Sequence, residues 1–259
     1  MNDDELLNYL FNEELVFSFY NLYKKAKVAH PNIKRSFVRE WLNKQQGIQM
    51  SNKKVTKKEF LPIYSDIPYS FQLDLTFLPR YKKQNKGYYV LFTAININTR
   101  FVYIYYGKNK DMTTILDFLR EMESKTVINS LTCDAGSEFK NKKFEKYCND
   151  NDIKLFFVKG DSHKLGIINR FHRTLKEKLS IYFNNNDTVV WYDIIDKIVY
   201  NYNHSVNRGI GIEPYKVNDF MENMIVQEKK EKTRKITSKL DVINVGDKCR
   251  ILLENTNKN

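Results

Sequence analysis

The stretch Asp161–Lys178, DSHKLGIINRFHRTLKEK, decides how the rest of the chain is read. It follows an apolar, strand-like run, Leu155-Phe156-Phe157-Val158, and a turn-like Lys159-Gly160-Asp161-Ser162. From about Gly166 the spacing predicts a helix. Ile167, Ile168, Phe171, Leu175 and Leu179 recur at helical intervals, so one face is buried. Arg170, Arg173, Lys176 and Lys178 add positive charge to the same segment. A helix that packs by one face and shows cations on another suits a polyanion lying across it. A basic helix alone reads more simply as a solvated surface helix, so the neighbouring stretches carry the decision.

Upstream, Val127–Cys133 reads as a strand ending at Asp134. The turn Asp134-Ala135-Gly136-Ser137, a helix near Asn141–Asn149 and a strand at Ile153–Val158 follow. Earlier still, Phe71-Gln72-Leu73-Asp74-Leu75-Thr76-Phe77 alternates strictly, with Phe71, Leu73, Leu75 and Phe77 on one side and Asp74 on the other. A turn region, Pro79–Gly87, leads to a strand at Tyr88–Ile97, and Asn98-Thr99 turns into Arg100–Tyr106. A helix is predicted at Thr113–Glu123. An antiparallel meander followed by strand–helix–strand indicates an α/β fold, a mixed sheet with helices on its faces. Downstream, Val189–Asn203 reads as another amphipathic helix, and Tyr200 and Tyr202 read as core aromatics.

Four regions are expected. Residues 1–50 form an N-terminal helical segment, with Asp3 or Asp4 as a helix cap and a second helix at Ser36–Leu42. They read equally as a small DNA-binding bundle or as a packing arm. Residues 51–69 form a basic linker containing Lys53, Lys54, Lys57 and Lys58, and 70–220 the core. Residues 221–259 form a charged, mobile linker and the start of a truncated small barrel, with a strand at Val245–Leu253.

The net charge of +12 on 259 residues favours a polyanionic partner, and 42% hydrophobic content excludes a disordered chain. Cys133, Cys148 and Cys249 are an odd set without short spacing, which suits a reducing compartment. His30, His163, His172 and His204 are scattered, and no metal-type Cys/His cluster exists. No apolar run reaches membrane-spanning length, and the acidic start is unlike a signal peptide.

Asp74 lies mid-strand, where aspartate is a poor strand former, and Asp134 lies at a strand end, where ligands bind in open α/β sheets. Two carboxylates converging there need a compensating cation. Mg²⁺ or Mn²⁺, a hard ion with positions open to phosphate oxygens, is the natural candidate.

Asp74, Cys133-Asp134-Ala135-Gly136-Ser137-Glu138-Phe139, Asn169-Arg170-Phe171-His172-Arg173-Thr174-Leu175-Lys176, Tyr202-Asn203-His204 and Pro214 resemble, in order, the core of retroviral-type integrases, with closest likeness to those of Polinton/Maverick elements. The match spans roughly residues 36–253. The resemblance implies a ribonuclease H-like five-stranded mixed sheet with flanking helices. It implies an acidic triad binding Mg²⁺ or Mn²⁺ and metal-dependent DNA strand transfer. Asp74 and Asp134 match the first two catalytic, metal-binding acids, and the third falls on Asn169. The 34 residues between Asp134 and Asn169 match the family's spacing.

Asparagine offers one neutral carbonyl oxygen where glutamate brings a charge and two oxygens, so metal binding should weaken. Glu177 is two helical turns on, about 12 Å along the axis, and Glu138 belongs to a position outside the family triad; neither is expected to substitute. Asn96 stands where the family usually has Asp. The segment 1–50 lacks the family's zinc-binding His/Cys set, so no structural zinc is expected. Lys164, Arg170, Arg173 and Lys176 are the DNA-contact candidates, with His172 as a phosphate or core partner. The expected partners are double-stranded DNA, at element ends and target, and further copies of the chain, without a membrane. The expected location is intracellular, in the nucleus or at a viral or element replication site. The resemblance leaves two other readings: an inactive integrase-derived DNA-binding protein, and a nuclease of the same fold.

Overall fold

A computed structural model describes residues 1–51, 61–136, 138–158 and 162–238. The strands are β1 (Ser70–Phe77), β2 (Val90–Asn96), β3 (Val102–Gly107), β4 (Ser130–Asp134) and β5 (Lys154–Val158). They form one sheet in the order β3-β2-β1-β4-β5. β1–β2 and β2–β3 are antiparallel, while β1–β4 and β4–β5 are parallel. The expected mixed five-stranded sheet is therefore present. The meander supplies its antiparallel half, and crossovers through helices supply its parallel half.

One face carries Phe71, Leu73, Leu75, Phe92, Leu131 and Cys133. They pack with apolar residues of α5 (Met112–Glu123) and α6 (Lys142–Asp150). The other face carries Leu91 and Ile95 under α7 (Gly166–Asn186) and α8 (Ile195–Asn203). β2 is buried along its whole length because both faces are covered there. At the β2–β3 turn, Asn96 Oδ1 accepts from the amides of Asn98 (2.8 Å) and Thr99 (2.9 Å). That role needs an acceptor oxygen and no charge, so asparagine serves there.

The N-terminal helices α1 (Asp3–Asn8), α2 (Phe19–Ala29), α3 (Arg35–Lys44) and α4 (Gln46–Ser51) belong to the second core. Leu7, Phe11, Leu22 and Trp41 share one cluster with Phe171, Leu175, Leu179 and Trp191. Of the two readings offered for this segment, the packing arm describes this contact. A Cβ at Gly47 would stand 3.0 Å from the Ile181 backbone, so glycine is what lets α4 lie against α7. The α1 cap is Asn2, paired with Glu5 in a capping box, instead of Asp3 or Asp4.

Two further expectations are corrected. The helix expected at Val189–Asn203 begins only at Ile195. The reason is Asn85, fully buried, whose Oδ1 accepts from the amides of Trp191 (2.7 Å) and Tyr192 (3.3 Å). Its Nδ2 donates to the carbonyls of Tyr81 (2.7 Å) and Val189 (3.0 Å). These bonds replace a helical turn and fasten the Pro79–Gly87 loop to the chain between α7 and α8. The second correction concerns the charged stretch expected to be a linker, which forms α9 (Asp219–Thr237). Ile225 and Val226 are buried, Glu222 accepts from Asn98 Nδ2 at 2.8 Å, and Lys230 pairs with Asp66 at 2.6 Å. Tertiary partners hold a helix whose sequence is mostly charge. Lys53, Lys54, Lys57 and Lys58 and the strand expected at Val245–Leu253 lie outside the described residues. Among the described residues no helix is long and apolar enough to cross a membrane.

Asn85→Ala leaves four backbone groups, the Trp191 and Tyr192 amides and the Tyr81 and Val189 carbonyls, without this partner and should lower unfolding stability by about 2 kcal/mol or more, read by urea titration. Lys178 gives a pH signature. Its ammonium lies 5.7 Å from the centre of the Phe17 ring, and burial pushes its pKa down from 10.5 to about 8. Between pH 8 and 10.5 the folded state binds fewer protons at this site than the unfolded state, so this contribution makes stability rise with pH. Lys178→Met should remove that rise, as measured by urea midpoints across the window.

Candidate active site at the ends of β1 and β4

The site begins with strand register. β1 and β4 run parallel with Gln72 opposite Thr132. Two residues further on, Asp74 and Asp134 project from the same face of neighbouring strands, whose spacing is about 4.8 Å. Asp134 is exposed at the end of β4, yet partial desolvation of its carboxyl raises it above its ordinary range, and the charges of Asp74 and Glu138 push it further. A bond from the Gly136 amide to Asp134 Oδ1, 3.1 Å, acts the other way. A Cβ at Gly136 would lie 2.9 Å from Asp134 Oδ1 and 3.1 Å from the Glu138 carboxyl. The two carboxylates thus close over a position that only glycine leaves open.

Asp74 is held from both sides. Its Oδ1 accepts from the Leu75 amide at 2.8 Å, and its Oδ2 lies 3.4 Å from His172 Nδ1. His172 is buried on α7, and its Nε2 has no hydrogen-bond partner among the described residues. His172 is thus a core residue that touches Asp74.

Gln72 fixes α7 over this face. Its Nε2 donates to the Lys164 carbonyl at 2.8 Å, and its Oε1 accepts from the Ile168 amide at 2.9 Å. It is 1% exposed, so both ends of the amide are committed. Sequence reading missed Gln72. The signal was present: Ser70, Gln72, Asp74 and Thr76 form a polar row on the strand face opposite the apolar one.

Asn169 lies exposed on α7, three residues before His172 and so on a neighbouring part of the helix surface. Lys164, in the turn Ser162–Leu165, and Arg170, Arg173 and Lys176, on α7, are all exposed. Among the described residues none of these four cations is ion-paired with a carboxylate. Glu177 is exposed with them.

Among the described residues no group of three or more His, Cys, Asp or Glu closes to metal-holding distance. Two carboxylates do suit a magnesium-type ion, which keeps most of its shell for water and phosphate oxygens. The mutual repulsion that raises Asp134 is what such a cation would relieve.

No protein-family model matches the chain. The transposon-derived protein F54H12.3 of Caenorhabditis elegans is 32% identical over 178 residues, covering 67% of this chain. The chain spans 58% of the length of that relative. Among solved structures, a simian T-cell lymphotropic virus intasome in complex with PP2A regulatory subunit B56 gamma contains a chain matched at TM-score 0.50 and 15% identity, over 77% of this chain and 73% of that one. The catalytic core domain of BIV integrase matches at TM-score 0.47 and 17% identity, over 63% of this chain and 97% of that one. The fold is the ribonuclease H-like fold of integrase cores. In sequence, the chain is similar to a protein derived from a transposon.

Because Asp134 carries a raised pKa beside like charge, Asp134→Asn should raise the melting temperature of the metal-free protein at pH 7. The gain should fade as pH falls toward the ordinary carboxylate range, where Asp134 is protonated in either state. Thermal melts in chelator across pH 4–8 check this.

Proposed function

We propose that this chain is an integrase- or transposase-type DNA-joining protein with an incomplete acid set, Asp74 and Asp134 present and Asn169 in the third position. One observation carries the reading: Asp74, within β1, and Asp134, at the end of β4, lie side by side on parallel strands beside a helix whose exposed cations, among the described residues, pair with no carboxylate. The likeness to a transposon-derived protein supports it. Closer likeness to Polinton-type elements, action on element ends and target DNA, self-association and a nuclear location belong to the same proposal.

In this reading Arg170, Arg173 and Lys176 hold backbone phosphates, with Lys164 at the start of the row. Gln72 sets the height of α7 over the sheet, and His172 orients the Asp74 carboxylate. Asp74 and Asp134 would hold Mg²⁺ or Mn²⁺, which when bound polarises a phosphoryl oxygen and stabilises developing charge. Asn169 brings a neutral oxygen to a place where a carboxylate would add charge. Glu138, whose carboxyl stands beside Asp134, supplies negative charge from the other side. The same asparagine favours a second reading, a DNA-binding protein that has lost joining activity.

The test is strand joining on short duplexes with Mg²⁺ and with Mn²⁺. The native chain should join weakly, Asp134→Ala not at all, and Asn169→Glu at least roughly tenfold faster than the native chain, the scale on which metal-site supports act. If the native chain and Asn169→Glu both bind duplex and both stay inert, the second reading replaces the first.

A further inference from the structure

A second basic surface stands apart from the α7 row. The Pro79–Gly87 loop, the start of β2 and the end of β3 meet at the edge of the sheet where β1 ends. Arg80, Lys82, Lys83, Lys86, Lys108 and Lys110 are all exposed there. Among the described residues none of the six forms an ion pair with a carboxylate.

These cations are held in place. Lys82 lies 4.6 Å from the ring centre of Tyr89, Lys86 4.7 Å from Tyr192, Lys108 5.1 Å from Tyr88 and Lys110 5.6 Å from Phe77. A ring face attracts an ammonium and limits its wandering, yet leaves donors for a third party; Lys86 also hydrogen-bonds Tyr192 and keeps its remaining donors. The loop beneath is locked by the four hydrogen bonds of buried Asn85. Tyr81 packs edge-on against Phe183 of α7 at 5.2 Å, so the surface is fastened to the helix that carries the first row of cations. A rigid shelf of spaced, unpaired ammonium groups is complementary to a regular row of phosphates.

Its position selects the partner. A cleft of about 210 Å³, lined by Lys110, Met112, Glu138 and Asn141, joins Lys110 of this shelf to Glu138, whose carboxyl stands beside Asp134. From β4 to β3 is three strand spacings, about 14 Å, or roughly four base-pair steps along a duplex. A duplex whose reacting phosphate lies at Asp74 and Asp134, running across the strands, therefore has phosphates of the same turn, roughly four steps away, within reach of the shelf.

We propose that this lysine–aromatic shelf is a second contact surface for the DNA backbone, distinct from the α7 row and without base selectivity. The proposal rests on the DNA-joining reading above. The four ring-mounted lysines bind phosphates, and the rings position the lysines.

The experiment is fluorescence anisotropy with a 30-base-pair duplex of arbitrary sequence, in chelator, from 50 to 200 mM salt. The native chain is compared with three variants. The shelf variant has Lys82→Ala, Lys86→Ala, Lys108→Ala and Lys110→Ala, and the α7 variant has Arg173→Ala and Lys176→Ala. A charge-matched control has Lys25→Ala, Lys27→Ala, Lys34→Ala and Lys44→Ala. All the shelf lysines are exposed, so thermal melts should show an intact fold. The shelf variant should lose two to four from the magnitude of the slope of log K against log salt, at about 0.9 per phosphate contact, while the control keeps the native slope. A shelf variant with the native slope, or a control that loses as much, overturns the shelf while a weakened α7 variant leaves the DNA-joining reading intact. A native chain that binds no duplex at 50 mM salt overturns both.

Discussion

A buried side-chain amide ties the sheet to the segment that begins α7. Gln72 stands on the central parallel pair of the sheet; its Nε2 donates to the Lys164 carbonyl in the turn before α7, and its Oε1 accepts from the Ile168 amide in the first turn of α7. Helix packing by ridges and grooves tolerates sliding, but a reciprocal hydrogen-bonded pair does not. The clamp sets which α7 residues stand over which β1 residues. With Ile168 fixed beside Gln72, His172 meets Asp74 one helical turn on. The N-terminal helices then close over the outer side of α7, with Gly47 allowing contact at Ile181. The arm, the helix and the acid face thus share one frame, and a shift at Gln72 would move all three.

The electrostatics of the site run against stability of the empty protein. Asp134 is raised by partial desolvation and by the charges of Asp74 and Glu138. Around this acidic centre the exposed surface is cationic, on α7 and again along the edge of the meander. Such a centre inside a positive rim attracts a polyanion and leaves room for a small cation between them. In the proposed reading, the neutral Asn169 lowers the negative charge at the centre by one, which bears on how firmly a cation would be held and leaves the cationic rim untouched.

The elements that depend on periodicity were legible in advance. The alternation at Phe71–Phe77 defines β1 and puts Asp74 on the polar face, because side chains in a strand change sides at every residue. The i, i+3, i+4 pattern after Gly166 defines α7 for the equivalent reason. Elements held by long-range polar bonds were not legible in the same way. The loss of a helical start at Val189 depends on Asn85, a residue more than a hundred positions away. The helix α9 has little apolar pattern of its own and depends on Asn98 and Asp66.

The sequence by itself determined the order of the strands and of the helices that cover them, the positions of Asp74, Asp134 and Asn169, and the basic row on α7. All of these are local: a residue type, a spacing or a period. The tertiary structure decided what meets what. It brought Asp134 against Asp74 through the register of parallel strands, set Glu138 beside Asp134 across Gly136, and mounted four lysines on rings from separate strands and loops. Those pairings arise from the sheet register and from buried hydrogen bonds that close over long stretches of chain, and no local pattern encodes the partner at the far end.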